Sequence, residues 1–157
     1  MTNYAQPSHR AYLEQSLGAH AAYKLHYHIV WSVKARHRIL VGEVATALHE
    51  VLVRCASSLN LTLLAFHVEP EHVHLLTSLR PDMAVATVTG RLKGATSRQL
   101  RQQFSAIRDL DERSLWNDGY FARTLGDINI AQAKAYLDRQ QQHHDEGCDE
   151  RRPEGRG

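Results

Sequence analysis

The sequence is short of the residues that would make it a secreted mini-protein or a membrane protein. Two cysteines in 157 residues cannot build a disulfide framework. Cys55 falls on the apolar face of an expected helix, Cys148 lies in a polar tail, and neither has metal-ligand spacing. No apolar run approaches the roughly 20 residues needed to cross a bilayer. The start, MTNYAQPSHRAYLEQ, lacks the basic beginning and apolar middle of a secretory signal. These absences lead to the expectation of a soluble, cytoplasmic protein. A large charge excess is missing too: the formal net charge is +2, which does not by itself demand a nucleic-acid partner. What is present is a 43% apolar content, enough to argue against disorder over most of the chain, and a length that suits one domain with one core.

Charge is distributed unevenly. Acidic residues gather near 109–112 and in the tail, whereas Lys34, Arg36, Arg38, Arg91, Lys93, Arg98 and Arg101 form two basic clusters. Either cluster could be a solvated face or a phosphate-binding one.

Hydrophobic periodicity orders the elements. Residues 1–22 show no sustained period and read as a flexible leader. From Tyr23 to Val33 the alternation of Leu25, Tyr27, Ile29, Trp31 and Val33 predicts a first strand, followed by the basic connection KARHRIL. Val44, Leu48, Val51, Leu52, Cys55 and Leu59 repeat at helical spacing over 43–59, and Asn60 suits the left-handed position that ends a helix. LTLLAFHVE (61–69) and HVHLLTSL (72–79) read as strands paired across a turn at Pro70 and Glu71. A second helix is expected from Asp82, as its N-cap, to about Phe104, then a polar stretch over 105–114. A fourth strand follows over Gly119–Leu125, and a last helix begins after an Asn129 cap. Residues 145–157 read as a disordered tail, leaving 23–144 as the folded domain. The order β-α-β-β-α-β is that of an α+β, ferredoxin-like (RRM-like) antiparallel sheet with two helices on one face. The C-terminal helix has no place in that minimal fold.

EHVHLL, residues 71–76, sets His72 and His74 one residue apart, on the same face of a strand. With 11 histidines in the chain, chance alone supplies on the order of one such pair, and His26 and His28 make a second. Two imidazoles also need a third ligand. Tyr136 and Gln140, four residues apart on the last helix, lie one turn apart on nearly one face. Should that face approach the histidines, a phenol would stand beside a metal, as phosphoryl transfer to a tyrosine nucleophile requires. The plainer readings are two strand histidines, an aromatic packing on the sheet and a solvated glutamine beside Gln141. His26 and His28 read as ordinary strand residues, having no assignable partner. His67 reads as structural or a neighbour of the site, and His143 and His144 as incidental.

At these residues the sequence resembles the single-tyrosine HUH transposases of small bacterial insertion sequences, the TnpA family of the insertion sequence 200/605 group, to which the REP-associated tyrosine transposases are related. HUH stands for His, a hydrophobic residue (here Val73), His. EPEHVHLLTSL resembles the HUH strand, YHIVWSVKARHRIL the opening strand and basic connection, and VTGRLKGATSRQL the second helix. WNDGYFARTLGD resembles the fourth strand and AKAYLDRQ the catalytic helix, so that the likeness covers Tyr23 to about Gln141. It implies that His72, His74 and Gln140 hold Mg²⁺ or Mn²⁺ and that Tyr136 is the nucleophile. It also implies cleavage and rejoining of single-stranded DNA at hairpin-bearing element ends through a 5′-phosphotyrosine. The protein would act on the nucleoid, as a homodimer whose tyrosine helix can complete the partner's histidine site. Lys34, Arg36, Arg38, Arg91, Lys93 and Arg98 would hold DNA phosphates, with Gly126 as a hinge before the tyrosine helix. Two alternatives stay open on sequence: a domesticated endonuclease of repeat hairpins with the same chemistry, and a non-catalytic RRM-like nucleic-acid-binding module.

Overall fold

The structure, a computed structural model, describes residues 17–18, 21–110 and 114–147. Four strands form one antiparallel sheet: β1 (His26–Ser32), β2 (Thr62–Val68), β3 (His72–Ser78) and β4 (Phe121–Leu125), in the order β2-β3-β1-β4. Helix α1 (Gly42–Ser58) joins β1 to β2, and α2 (Val85–Gln103) joins β3 to β4 with a short α3 (Ser105–Arg108) after it. Helix α4 (Ile130–Gly147) follows β4. The β-α-β-β-α-β order expected from sequence is therefore the order found.

Strand alternation divides the sheet into two unlike faces. Ile29, Trp31, Val73 and Leu75 point to one side and pack against Leu48 and Leu52 of α1 and Val88, Leu92 and Leu100 of α2. Trp116 closes this core edge-on to Trp31, at 6.1 Å between ring centroids, and its indole N–H donates to the Lys93 carbonyl and to Thr96 Oγ1, 3.0 Å each. Both tryptophans are thus core residues. The other face carries His26, His28, Val30 and Ser32 beside Ser78, Leu76, His74 and His72, as the β1–β3 register pairs them. Helix α4 lies on this second face, where Ala133 and Leu137 meet Leu76. The extra helix thus covers the sheet side that the first two helices leave open.

Local signals explain the ends of the helices. Asn60 has φ +53°, its N–H bonds to the Ser57 carbonyl and that of Leu61 to the Ala56 carbonyl, a Schellman closure of α1 with asparagine in the left-handed place. Asn129 caps α4: its Oδ1 accepts from the Gln132 N–H at 2.9 Å, and Gln132 Oε1 accepts from the Asn129 N–H at 3.0 Å. That reciprocal pair is a capping box.

Several expected boundaries move. Helix α2 starts at Val85 with Ala84 at the cap, because the Asp82 carboxylate is taken by Arg80, whose Nε and Nη2 donate to it at 3.0 and 2.9 Å. The polar stretch after Phe104 contains α3, which buries Ile107. Strand β4 begins at Phe121, since Gly119 has a left-handed φ of +80° that breaks the extended run. Helix α4 continues to Gly147, so residues 145–147 are helical and not part of a tail; residues 148–157 lie outside the described ones. Within the expected leader, Leu17–Gly18 pairs with Ala21–Ala22, and the rest of 1–20 lies outside the described residues. Among the described residues no helix is long and apolar enough to cross a membrane.

Leu75 is fully buried in the central strand. Leu75→Ala should lower unfolding free energy by about 2–5 kcal/mol, read as a shift of the urea midpoint at unchanged slope; a loss under about 1 kcal/mol would contradict this core assignment.

Candidate active site

His72 and His74 project from β3 onto the face covered by α4, at 6% and 5% exposure. Their Nε2 atoms converge to 2.9 Å. Two ligands at right angles around an ion with bonds of about 2.1 Å stand about 3.0 Å apart. The pair is therefore spaced as neighbouring ligands of one octahedral ion, and neutral imidazole nitrogens are competent donors for it. The carboxylate of Glu71 sits beside this pair, its Oε1 3.7 Å from His72 Nδ1. Arg38 donates to that carboxylate at 2.8 Å and Arg36 approaches it at 3.8 Å, so the basic connection is tied to the histidine strand.

Tyr136 reaches the site through a residue that sequence reasoning passed over. Its Oη lies 3.1 Å from His28 Nδ1, and His28 Nε2 lies 3.1 Å from His74 Nδ1. Tyr136, His28, His74 and His72 thus form one unbroken hydrogen-bonded chain. His28 and His74 are within 14° of coplanar at 5.3 Å between centroids. That spacing is what a 3.1 Å nitrogen contact plus two ring radii produces, so the rings meet edge to edge in one plane and are not stacked face to face. His28, expected to be an ordinary strand histidine, is instead the link between nucleophile candidate and ligand candidate. The signal was there: alternation puts it on the face opposite Tyr27 and Ile29, and a ferredoxin-like order places β1 beside β3. His26 stays peripheral, its Nδ1 3.3 Å from the Gly126 carbonyl, and His67 pairs with Glu69 at 2.8 Å.

Electrostatics set the protonation of this chain. Burial, with the positive charge of Arg123 second, holds His28 at about 4, so the ring is neutral at pH 7. Burial raises the Tyr136 phenol above its ordinary range, while Arg123 and Arg139 pull the other way. The Arg123 guanidinium lies 5.0 Å from the Tyr136 ring centre, an interaction no motif signalled. Arg123 is opposite His28 in the β1–β4 register, which is why it faces the same site.

The other expected residues divide. Gln140 is half-buried on α4, one turn beyond Tyr136, and among the described residues the hydrogen-bonded chain does not extend to it. Arg91 and Arg98 are exposed on α2, and Arg36 and Arg38 are exposed on the connection. Lys93 is half-buried on α2. Its Nζ donates to the Asn117 and Gly119 carbonyls at 2.7 Å each, pinning the loop before β4. A cleft of about 280 Å³ beside it is lined by Arg98, Arg101, Ser97 and Asn117. His143 and His144 lie where side chains are outside the described set.

With the site in view, the comparisons with known proteins are decisive. Residues 21–140 match the family model described as "Transposase IS200 like". The chain belongs to the IS200-like transposase family. It is 38% identical over 132 residues to the ISDra2 transposase TnpA of Deinococcus radiodurans, covering 82% of this chain and 92% of that one. It is 32% identical over 128 residues to the transposase of insertion sequence element IS200 from Salmonella typhimurium, 81% and 83% covered. A crystal structure of a putative transposase from Deinococcus radiodurans superposes with TM-score 0.67 at 34% identity, over 79% of this chain and 96% of that one. The REP-associated tyrosine transposase bound to a REP hairpin has TM-score 0.51 at 13% identity, over 78% and 68%, a likeness of fold.

The Tyr136 phenol should ionise above the usual value of about 10 in the absence of added metal. Ultraviolet difference titration of the wild type against Tyr136→Phe isolates that transition. Arg123→Ala should move it higher still, because a neighbouring cation favours phenolate; a transition at or below that of free tyrosine would contradict the assigned environment.

Proposed function

We propose that this transposase cleaves and rejoins single-stranded DNA at hairpin-bearing element ends, with Tyr136 as nucleophile and a 5′-phosphotyrosine as the covalent intermediate. The observation that carries the proposal is the chain of contacts from Tyr136 Oη through His28 to the converging Nε2 atoms of His74 and His72. These contacts join the phenol and the two histidines within one chain.

The donor set of His72 and His74, with Gln140 from the tyrosine helix, fits a divalent ion, Mg²⁺ or Mn²⁺. Such an ion supplies positive charge to oxygens of the scissile phosphate and to the departing oxygen. The protein does the rest. Tyr136 Oη attacks phosphorus in line; the bond from phosphorus to the 3′ oxygen breaks, and the proton lost by the phenol is balanced by the one gained at the new 3′-OH. The tyrosyl ester keeps a phosphodiester's bond energy, so a DNA 3′-OH can reverse the step without a nucleotide cofactor. Arg123 beside the ring favours the ionised phenol against the cost of burial.

Arg36, Arg38, Arg91 and Arg98, with Lys34 and Lys93, supply exposed or half-exposed cations for the DNA backbone. The hairpin in the REP-associated relative's complex supports a hairpin ligand here by shared fold. The reading includes a homodimer, with α4 over its own chain's histidines as in this structure or over its partner's. The RRM-like alternative loses support because α4 covers the sheet face that a single-strand-binding module leaves open for bases.

Incubating the protein with single-stranded oligonucleotides from the gene's flanks and Mg²⁺ or Mn²⁺ should give a covalent protein–DNA band on a denaturing gel. Tyr136→Phe and chelation should each remove it, and His74→Ala should remove it while hairpin binding persists. An undiminished adduct in Tyr136→Phe would overturn the nucleophile assignment. Arg98→Ala should weaken hairpin binding regardless of sequence and reduce the slope of log affinity against log salt by about 1; an unchanged slope would remove Arg98 from the phosphate contacts.

A further inference from the structure

Each neutral imidazole has one N–H and one lone pair on its two ring nitrogens, so within a chain of such rings every bond direction constrains the next. His28 uses both nitrogens, Nδ1 towards Tyr136 Oη and Nε2 towards His74 Nδ1, each at 3.1 Å. The coplanar, edge-to-edge setting of the two rings requires an N–H of one to point at the lone pair of the other. At the far end, the 2.9 Å contact between the Nε2 atoms of His74 and His72 also needs a proton on one of them.

Two polarities satisfy the Tyr136–His28–His74 links. In the first, the phenol O–H donates to His28 Nδ1, His28 Nε2–H donates to His74 Nδ1, and His74 carries its proton at Nε2, facing His72. In the second, His74 holds its proton at Nδ1 and donates to His28, which in turn donates from Nδ1 to the phenol oxygen. An ion gripped by His74 Nε2 needs that lone pair, so it is incompatible with the first. Metal-bound histidines generally donate their second nitrogen to a neighbouring acceptor. Here the neighbour is another histidine, and its own second nitrogen touches the nucleophile.

We propose that His28 is a positioning residue that makes the state of Tyr136 depend on ligation at His74. With no ion on His74 Nε2, the phenol hydrogen can be tied up in the bond to His28. With His74 Nε2 ligated, His28 is turned into a donor, which holds the phenol oxygen in place, directs its hydrogen away and favours the phenolate. The nucleophile is thereby released for attack only when the ion that helps the leaving oxygen is in place. The inference rests on the proposed grip of the ion through Nε2 of His72 and His74.

Nitrogen NMR of the full chain with labelled histidine reads each ring's tautomer, without and with saturating Mg²⁺ alone. The expected result with Mg²⁺ is a proton on Nδ1 of both His74 and His28. If His74 responds to Mg²⁺ but His28 keeps its proton on Nε2, the relay is overturned and the ion site stands. If neither ring responds, the ion assignment falls and the relay with it. In folded His28→Phe, Mg²⁺ should still move the His74 signals, but the carbon-13 shift of the Tyr136 hydroxyl-bearing carbon should lose its response to Mg²⁺. A response that survives in His28→Phe overturns the relay. The adduct rate in His28→Phe should fall by about 10–100-fold.

Discussion

Two histidines on the neighbouring central strands meet edge to edge, and the rest of the site is arranged around that contact. It exists because β1 and β3 pair antiparallel with Val30 opposite His74 and Leu76 opposite His28. A one-residue slip in that register would send His28 to the helix-packed face and bring Ile29 into its place. Burying three imidazoles is costly unless their nitrogens find partners. Here both nitrogens of His28 and of His74 find partners among Tyr136, each other and His72 Nε2, while His72 Nδ1 faces the Glu71 carboxylate at 3.7 Å. The polar cluster is tolerated because most of its nitrogens are bonded within it, and that same bonding fixes the orientations of the His28 and His74 rings.

Helix α4 is brought to this cluster by ordinary packing. Its capping box at Asn129 and Gln132 sets where the helix starts, and Ala133 and Leu137 seat on Leu76. Tyr136 then falls over the histidine face one residue before Leu137, half-buried with its hydroxyl inward. On the other side of the site, Ala35 and Arg36 both take left-handed backbone angles, φ +53°. That conformation costs a non-glycine residue roughly 1–2 kcal/mol. It turns the connection back so that Arg36 and Arg38 bracket Glu71, next to His72. Exposed ion pairs of this kind contribute little stability, about 0–1 kcal/mol. Their guanidinium groups are therefore held only weakly in these pairs.

Much of this was legible in the chain. The alternation of 23–33 and the helical stripe of 43–59 gave elements within three residues of those found, because burial on one face imposes a period. Asn60 and Asn129 were readable as helix ends because their side chains satisfy local backbone needs, which sequence carries directly. Asp82 misled for the converse reason: a good capping side chain was claimed by Arg80, a competitor two residues away. The contacts of Lys93 with the carbonyls at 117 and 119 were not readable, because loop geometry is not written in periodicity. The HUH pair and Tyr136 emerged from motif and resemblance. His28 and Arg123 did not, since both owe their place to strand pairing across more than forty residues. Gln140 shares the tyrosine's helix face as the spacing required, and its reach to the ion is part of the proposed function.

Crystals grown with Mn²⁺ offer the most direct measurement, since anomalous scattering locates the ion without assuming its ligands. The site described here predicts one strong peak within coordination distance of His72 Nε2 and His74 Nε2, with Tyr136 Oη turned towards it and His28 between the ring and His74. A peak bound elsewhere, or none at saturating Mn²⁺ with both imidazoles well ordered, would contradict it.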